Sequence, residues 1–396
     1  MSSTIKKRDV KIEIIRILAC LLVVWYHIRE LPWKQNGELS ETAVFFEVIC
    51  TVCVVTFFLI SGFFIYDRKG TIIENWIYHI KHFFKKIFLP FIIVVILCIV
   101  FHEYLISAKT FKECIDGFSV KNTITTLFDS FKSFSADPLP GTAAHLWYIY
   151  SYFNIILVYP ISALILKKTK KAFSYSLLLL YTVIMIFNDY KSFYGDSIYY
   201  VVFDIVHKPV YYSMCGYVLY NEVIKKIIAR EKDSEKDKAS IIIDKRLFFG
   251  ALIIYAIGFV MLFKTQVAYY YGTNAGYVYT SWLSLYSLVL SSAFVVIIYN
   301  LRIDKYLNDK IENAIYYISG KTLGIYLIHY LLIVKLNSTG FQASFARYRI
   351  NIVFYFIYFI VYSFIIILLS MAILVVIEFM KNKLLGGLYG KKKRLS

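Results

Sequence analysis

The stretch RILACLLVVWYH, residues 16–27, places an arginine and a histidine at the two ends of an apolar run. Nine of its twelve residues suit lipid. Arg16 and His27 are eleven residues apart, a separation of just over three turns in an α-helix. They therefore lie on one stripe, about 16 Å apart. The stretch predicts a membrane helix with two polar groups on one face.

The composition of the whole chain indicates a polytopic membrane protein. Hydrophobic residues make up 59% of 396 positions, and charged residues make up only 18%. The mean hydropathy is +0.62, far above that of a soluble domain. A net charge of +18 is also found in nucleic-acid-binding proteins, but the placement of the charge between apolar runs indicates membrane topology instead. We therefore expect no nucleic-acid partner.

The apolar runs predict an all-α bundle of about ten transmembrane helices in a single domain over residues 1–396. With the N-terminus inside, 31 of the 44 Lys and Arg residues fall in cytoplasmic segments. This positive-inside bias predicts that both termini are cytoplasmic. The predicted spans lie near residues 12–32, 43–66, 88–106, 146–166, 173–188, 199–220, 247–263, 276–300, 320–338 and 351–378.

Three connecting segments have patterns of their own. In the external loop 107–145, apolar residues recur at helical spacing in two places, which predicts two short amphipathic helices. These helices are either a lid over an external site or a connector that hides its apolar face. The segment 73–86 predicts an interfacial helix with His79 and His82 as surface groups. Residues 221–246 are expected to form a charged, solvated cytoplasmic loop.

Polar groups inside the predicted spans cluster at two depths. Because such groups are costly in lipid, each is a candidate for function. Each also has a structural alternative: Arg16 can snorkel to the cytoplasmic face, His27 can be a core histidine, and Asp204 can form a structural ion pair with Lys208. The outer half contains His27, Glu47, His145, Asp204, His207, Lys208 and His329, and the cytoplasmic end contains Arg16, Lys85 and Lys86.

Two short motifs suggest chemistry but are better explained by packing. Ser61–Gly62 lacks the strand–turn–helix context of a nucleophile elbow, so we expect a small-residue pair that permits close helix contact. Cys50 and Cys53 have CxxC spacing within an apolar helix, where packing is the expected role. We predict no metal site and no permanently bound cofactor.

Several landmarks occur in order along nearly the whole chain: Arg16 and His27 with ten residues between them, FFLISGFF (57–64), KKIFLP (85–90), HLWYI (145–149), Gly216–Tyr217 and LGIYLIH (323–329). Together they resemble the acyltransferase-3 family of bacterial integral membrane acyltransferases. This family usually has arginine in the basic run where the present chain has Lys85 and Lys86, which favours a point-charge role over a bidentate one.

The resemblance implies an acyl-CoA donor, usually acetyl-CoA, bound from the cytoplasm. It also implies an acceptor hydroxyl on an envelope glycan or lipid-linked saccharide at the outer side of the bacterial cytoplasmic membrane. The histidine matched by His27 is regarded as catalytic in the family, and the arginine matched by Arg16 as its essential companion.

The residue types suit that chemistry. The His27 imidazole can act as a general base or carry the acyl group. The basic group of Arg16, Lys85 and Lys86 would bind the coenzyme A phosphates at the inner face. Glu47 or Asp204, with His207 on the same face as Asp204, would orient the imidazole. The oxyanion or acceptor would meet His145, Trp147, Lys208 or His329.

Two other functions fit the sequence. GDSIYY and HKPVYY, within residues 195–212, faintly resemble the membrane part of VanT-type serine racemases, for which serine uptake is inferred. A transporter or exporter of a small polar or lipid-linked precursor is therefore the alternative. A scaffold subunit of an envelope-assembly complex is compatible with any polytopic chain.

Overall fold

The computed structural model describes residues 9–29, 39–106, 110–133, 136–193, 208–233, 240–271, 284–340 and 352–392. Within these ranges the regular secondary structure is helical, and an isolated β-bridge joins Ile242 to Leu301. The predicted all-α class is therefore confirmed.

Each predicted apolar run overlaps at least one α-helix of the described residues, and further helices lie between the runs. They are α1 Val10–Ile28, α2 Glu41–Cys50, α3 Val52–Asp67, α4 Ile72–Phe83, α5 Leu89–Ile106, α6 Phe111–Asp116, α7 Val120–Ser133, α8 Trp147–Lys168, α9 Lys171–Phe193, α10 Lys208–Leu219, α11 Lys225–Asp233, α12 Lys245–Tyr270, α13 Leu285–Tyr299, α14 Asp309–Ser338 and α15 Ile352–Lys392. Short π-helical segments span Phe84–Phe88 and Tyr220–Ile224, and 3₁₀ segments span Gly141–Leu146 and Ile303–Tyr306.

Six helical segments among the described residues are long and apolar enough to cross a membrane. They are Glu41–Asp67, Ile72–His102, Gly141–Lys168, Lys245–Tyr270, Asp309–Ser338 and Ile352–Met380, and two shorter apolar helices are Lys171–Ile186 and Leu285–Tyr299. Helix α1 contains three charged residues, Lys11, Glu13 and Arg16, within its first two turns. A multi-pass membrane protein is thus supported, while the count of ten spans stays a prediction.

Two compact units make up the chain. The first comprises Met1–Leu89 and Leu146–Ser319, and the second comprises Pro90–His145 and Gly320–Ser396. The first unit therefore holds α1–α4 and α8–α13, whereas the second holds α5–α7, most of α14 and α15.

Two glycines allow α3 and α10 of the first unit to cross at close range. A Cβ added at Gly62 would lie 1.9 Å from the Ser213 carbonyl oxygen, and one at Gly216 would lie 2.2 Å from the Leu59 carbonyl oxygen. Only glycine fits where two helix backbones approach this closely. The expected role of Gly62 in helix packing is confirmed.

The helix predicted for residues 73–86 is present as α4 and runs through the π-helical segment into α5. A capping box between Thr71 and Glu74 fixes its start. The expectation for His79 is wrong: its ring is buried, with Nε2 3.2 Å from the Ile65 carbonyl oxygen. Burial of this ring depends on the neighbouring helix end, which the local pattern did not reveal. His82 is exposed, as predicted.

In the segment 221–246, predicted as a solvated loop, the described residues 221–233 are helical and residues 245–246 begin α12. The helix that includes α10 continues through Tyr220–Ile224 into α11, and Asp244 accepts a hydrogen bond from the Leu247 N–H to cap α12. Ion pairs join Arg230 to Asp244 and Lys225 to Asp67. The charges in this segment therefore connect helix ends to one another.

In the second unit, α6 and α7 confirm the two helices predicted for the external loop. On α7 the buried positions are polar, Thr123 and Ser130, whereas Ile124 and Phe128 are more than half exposed. Apolar side chains thus cover the outward face of α7, as expected of a helix that contacts lipid.

Candidate active site

Helix α1 holds Arg16 and His27 on one stripe, because it runs unbroken from Val10 to Ile28. Its start is fixed by Asp9, whose Oδ1 accepts hydrogen bonds from the Lys11 and Ile12 N–H groups. Both Arg16 and His27 are half-buried. The predicted separation of about 16 Å along one face therefore applies to the folded helix.

Arg16 lies beside a buried carboxylate. Its Nη1 is 3.3 Å from Glu13 Oε2, and Glu13 is only 3% exposed. The Ser319 hydroxyl also donates to Glu13 Oε2. The Arg16 guanidinium lies 5.5 Å from the centre of the Phe64 ring. Glu13 thus holds one side of the guanidinium, and 35% of the Arg16 side chain remains exposed.

A small cavity opens next to Arg16. Its volume is about 230 Å³, and it is lined by Asp9, Ile12, Glu13, Arg16 and Phe64. The two carboxylates already have partners, since the Tyr299 hydroxyl donates to Asp9 Oδ2 at 3.0 Å. The cavity is smaller than the roughly 300–1,000 Å³ usual for a whole ligand site. Its size suits one part of a larger ligand.

Two tyrosines of α8 border the same region. The positive charge of Arg16 interacts with Tyr148 and Tyr152, and the Tyr148 hydroxyl is hydrogen-bonded to Ser61. The Ser61 hydroxyl itself donates to the Phe57 carbonyl oxygen at 2.8 Å. Ser61 therefore has a structural bonding role, consistent with its interpretation as a packing residue.

The His27 end of α1 lies beside a second charged cluster. Arg29 Nη2 is 2.9 Å from Glu47 Oε1, and the Arg29 guanidinium lies 3.8 Å from the centre of the Tyr26 ring. Glu47 Oε2 accepts hydrogen bonds from Gln266 Nε2 at 3.3 Å and from the Tyr270 hydroxyl at 2.9 Å. Glu47 therefore lies near the His27 end of α1, where Arg29, Gln266 and Tyr270 bind its carboxylate.

The remaining predicted residues of the first unit lie at helix ends. Lys85 and Lys86 are exposed on the π-helical segment after α4. Trp147 begins α8 with its ring 6.3 Å from Phe58, and Lys208 begins α10 and is half-buried. Asp204 and His207 lie outside the described residues.

In the second unit, His145 and His329 come together as two buried rings with centroids 5.3 Å apart. His145 Nε2 lies 3.2 Å from the Leu327 carbonyl oxygen, and His329 Nδ1 lies 2.7 Å from that of Tyr326. The Tyr326 hydroxyl donates to the His145 carbonyl oxygen. His145 and His329, which lie in different predicted spans, thus form one cluster with the backbone carbonyl groups beside them.

Sequence reasoning missed the immediate partners of the charged residues. Glu13 precedes Arg16 by three residues, a spacing that places opposite charges side by side on a helix. Gln266 and Tyr270 are four residues apart on α12, so both face one neighbour. The spacing was visible in each case, although which helix would lie opposite was not.

Among the described residues, no group of three or more His, Cys, Asp or Glu side chains has the arrangement of a metal site. Comparison with known proteins adds one positive finding. The model of the acyltransferase-3 family, described as an acyltransferase domain, matches residues 9–375. A search of curated proteins and a search of solved structures found no match.

Proposed function

The chain belongs to the acyltransferase-3 family, and on that basis we propose that it moves an acyl group, acetyl in the simplest case, from cytoplasmic acyl-CoA to a hydroxyl outside the membrane. The acceptor is a cell-envelope glycan or a lipid-linked saccharide, and the membrane is the bacterial cytoplasmic membrane. The observation that best supports this proposal is the unbroken α1 helix, with Arg16 and His27 on one face.

The Arg16 end suits the donor. Coenzyme A is polyanionic and cannot cross a bilayer, so its phosphates need cations at the inner face. Arg16 and the exposed Lys85 and Lys86 supply such charge. The cavity of about 230 Å³ beside Arg16 suits the pantetheine arm rather than the nucleotide. An arm lying outward along α1 would bring the thioester toward His27.

The His27 end suits the transfer step. As a general base, the imidazole takes the proton of the acceptor hydroxyl while that oxygen attacks the thioester carbonyl carbon. The carbon–sulfur bond then breaks, and the coenzyme A thiolate takes a proton as it leaves. As a nucleophile, the imidazole would instead form an acyl-histidine that the acceptor hydroxyl attacks. Both routes give the same ester and free coenzyme A.

Other groups assist in this proposal. Trp147, Lys208, His145 and His329 remain proposed contacts for the oxyanion or the acceptor, because N–H donors and positive charge stabilise developing negative charge. Asp204 and His207 keep their proposed catalytic roles. The proposed orientation of His27 by Glu47 requires this carboxylate to act while it accepts bonds from Arg29, Gln266 and Tyr270.

The test measures transfer of labelled acetyl from acetyl-CoA to saccharide lipids by the purified full-length protein. His27→Ala should lower the rate at least about 10²-fold, the usual contribution of a general base. Arg16→Gln should weaken acetyl-CoA binding. His82→Ala, at an exposed histidine of α4, is the matched control and should keep full activity. Full activity of His27→Ala would refute this chemistry, and substrate flux without acyl-CoA would favour transport.

A further inference from the structure

A long apolar groove lies within the first unit, away from Arg16 and His27. Its volume is about 680 Å³, and its walls come from α9, α10, α12 and α13. Aliphatic and small side chains form most of the lining, with Leu179, Cys215, Ile254 and Val289 on the four walls. A groove of this size falls in the range of small-molecule sites, about 300–1,000 Å³. Its lining suits a hydrocarbon chain.

The length of the groove matches one leaflet of a bilayer. Along α10 and the π-helical segment after it, the groove extends from Tyr211 to Glu222, eleven residues or about 16 Å. Along α12 it extends from Arg246 to Ile254, about 12 Å. Half of a hydrocarbon core of about 30 Å is about 15 Å. The groove therefore has the depth of a single lipid chain.

The mouth of the groove opens between two surfaces that suit hydrocarbon. Leu179 and Leu180 on α9 are exposed at 64% and 49%, and Ile253 and Ile254 on α12 at 58% and 51%. Helix α12 is also long and apolar enough to span the membrane. Exposed aliphatic rows of this kind contact lipid in a membrane protein. A lipid chain can therefore enter from the side.

One end of the groove is polar and carries excess positive charge. Glu222, Arg246 and Tyr175 line this end. Glu222 is bound by Lys171 at 2.8 Å and is 3.7 Å from Lys226. Two cations thus pair with one carboxylate, and a third cation, Arg246, lines the same end of the groove and is exposed. The topology expected from the charge pattern puts this end at the cytoplasmic face, where anionic lipids attract basic residues.

We propose that this groove binds one anionic glycerophospholipid of the inner leaflet. One acyl chain lies along the groove between α9 and α12, and the phosphate lies against Arg246. The site is separate from the acyl-transfer proposal, because none of the described residues assigned to donor or acceptor lines the groove.

The first test is native mass spectrometry of the full-length protein in mild detergent. Phosphatidylglycerol and phosphatidylcholine with identical chains are titrated against wild type, Arg246→Gln and Lys245→Gln. A basic residue near a lipid headgroup contributes about fivefold in affinity. Arg246→Gln should therefore bind phosphatidylglycerol about fivefold more weakly than wild type does, while its affinity for phosphatidylcholine stays the same. The control Lys245→Gln removes the same charge from the preceding residue, which is exposed and does not line the groove.

The second test uses wild-type protein and measures whether bound lipid protects Cys215, inside the groove, from labelling. Cys215 lines the groove and is half-exposed, whereas Cys20, Cys50, Cys53, Cys98 and Cys114 are buried. N-ethylmaleimide should therefore label Cys215 first, and phosphatidylglycerol should slow that labelling. Labelling of Cys215 at an unchanged rate under saturating lipid would overturn the location of the chain.

Three other results would also overturn the proposal. The first is equal binding of the two phospholipids with no effect of Arg246→Gln. The second is no retention of either lipid by wild type. The third is displacement of phosphatidylglycerol by a polyprenyl phosphate at lower concentration, which would assign the groove to a lipid-linked acceptor. Acyl-transfer activity is measured separately, so loss of this proposal leaves the proposed function standing.

Discussion

Replacing Gly62 or Gly216 by alanine should destabilise the protein, because each glycine lies where α3 and α10 cross. The new Cβ would sit 1.9 Å from the Ser213 oxygen at one site and 2.2 Å from the Leu59 oxygen at the other. Ordinary van der Waals contact begins near 3.4 Å. Both obstacles are backbone atoms within helices, so no side-chain rotation can relieve the overlap.

The size of the effect follows from how far the helices must separate. To accept one methyl group, α3 and α10 must move apart by about 1.2–1.5 Å at the crossing. Overpacking of this kind costs about 1–3 kcal/mol, and occasionally more. Alanine regains up to about 1 kcal/mol through its higher helix propensity. We expect each single variant to lose about 1–2 kcal/mol of unfolding free energy.

The double variant sharpens the test. Once one methyl group has separated the helices, the second methyl group overlaps less with the opposite backbone. The double variant should therefore lose less unfolding free energy than the sum of the two single losses. Unfolding in mild detergent, followed by tryptophan fluorescence in increasing denaturant, measures all three variants. Gly320→Ala is the control, because a Cβ at this exposed helical position meets no atom within 4 Å. Wild-type stability in Gly62→Ala and Gly216→Ala would refute the close crossing.

Two further predictions concern charged residues. Hydrogen bonds from Lys171 and Tyr175 lower the pKa of Glu222 to about 2. The stabilisation that these bonds give the folded protein is therefore fully present above the ordinary carboxyl pKa, and it is lost as the pH falls toward 2. In Glu222→Gln, the melting temperature should fall less steeply than in wild type as the pH is lowered toward 2. The same pH dependence as wild type would contradict this. Glu47→Gln should cost about 1–3 kcal/mol, because Arg29 loses its counterion at a site only 21% exposed. In a double-mutant cycle with Arg29→Gln, a coupling energy near zero would contradict that ion pair.

The helices could be predicted from sequence because hydropathy and charge spacing are local properties. The apolar runs predicted near residues 173–188 and 247–263 lie within two long helices, α9 and α12. The Ser61–Gly62 pair indicated close packing, although not that Gly216 would supply the other half of the crossing. Partner choice depends on which helices become neighbours, and periodicity within one helix contains no such information.

The same limit applies to the site. The positions of Arg16 and His27 on one stripe follow from helix geometry alone. Helix geometry does not predict that Glu47 binds Gln266 and Tyr270, which lie more than two hundred residues later in the chain. The burial of His79 was also missed, because it requires the carbonyl oxygen of Ile65 at the end of another helix.

Helix α1 is bound to segments that are synthesised long after it. Lys11 pairs with Glu231 at 2.8 Å, and Glu13 accepts a bond from Ser319, 306 residues later. At about 5–20 residues per second, roughly 15–60 s separate the translation of Glu13 from that of its partner. During biogenesis these charges must be shielded by water, lipid headgroups or the insertion machinery. A chain that stops before α14 would lack the Ser319 bond to Glu13 and should be recognised by membrane quality control.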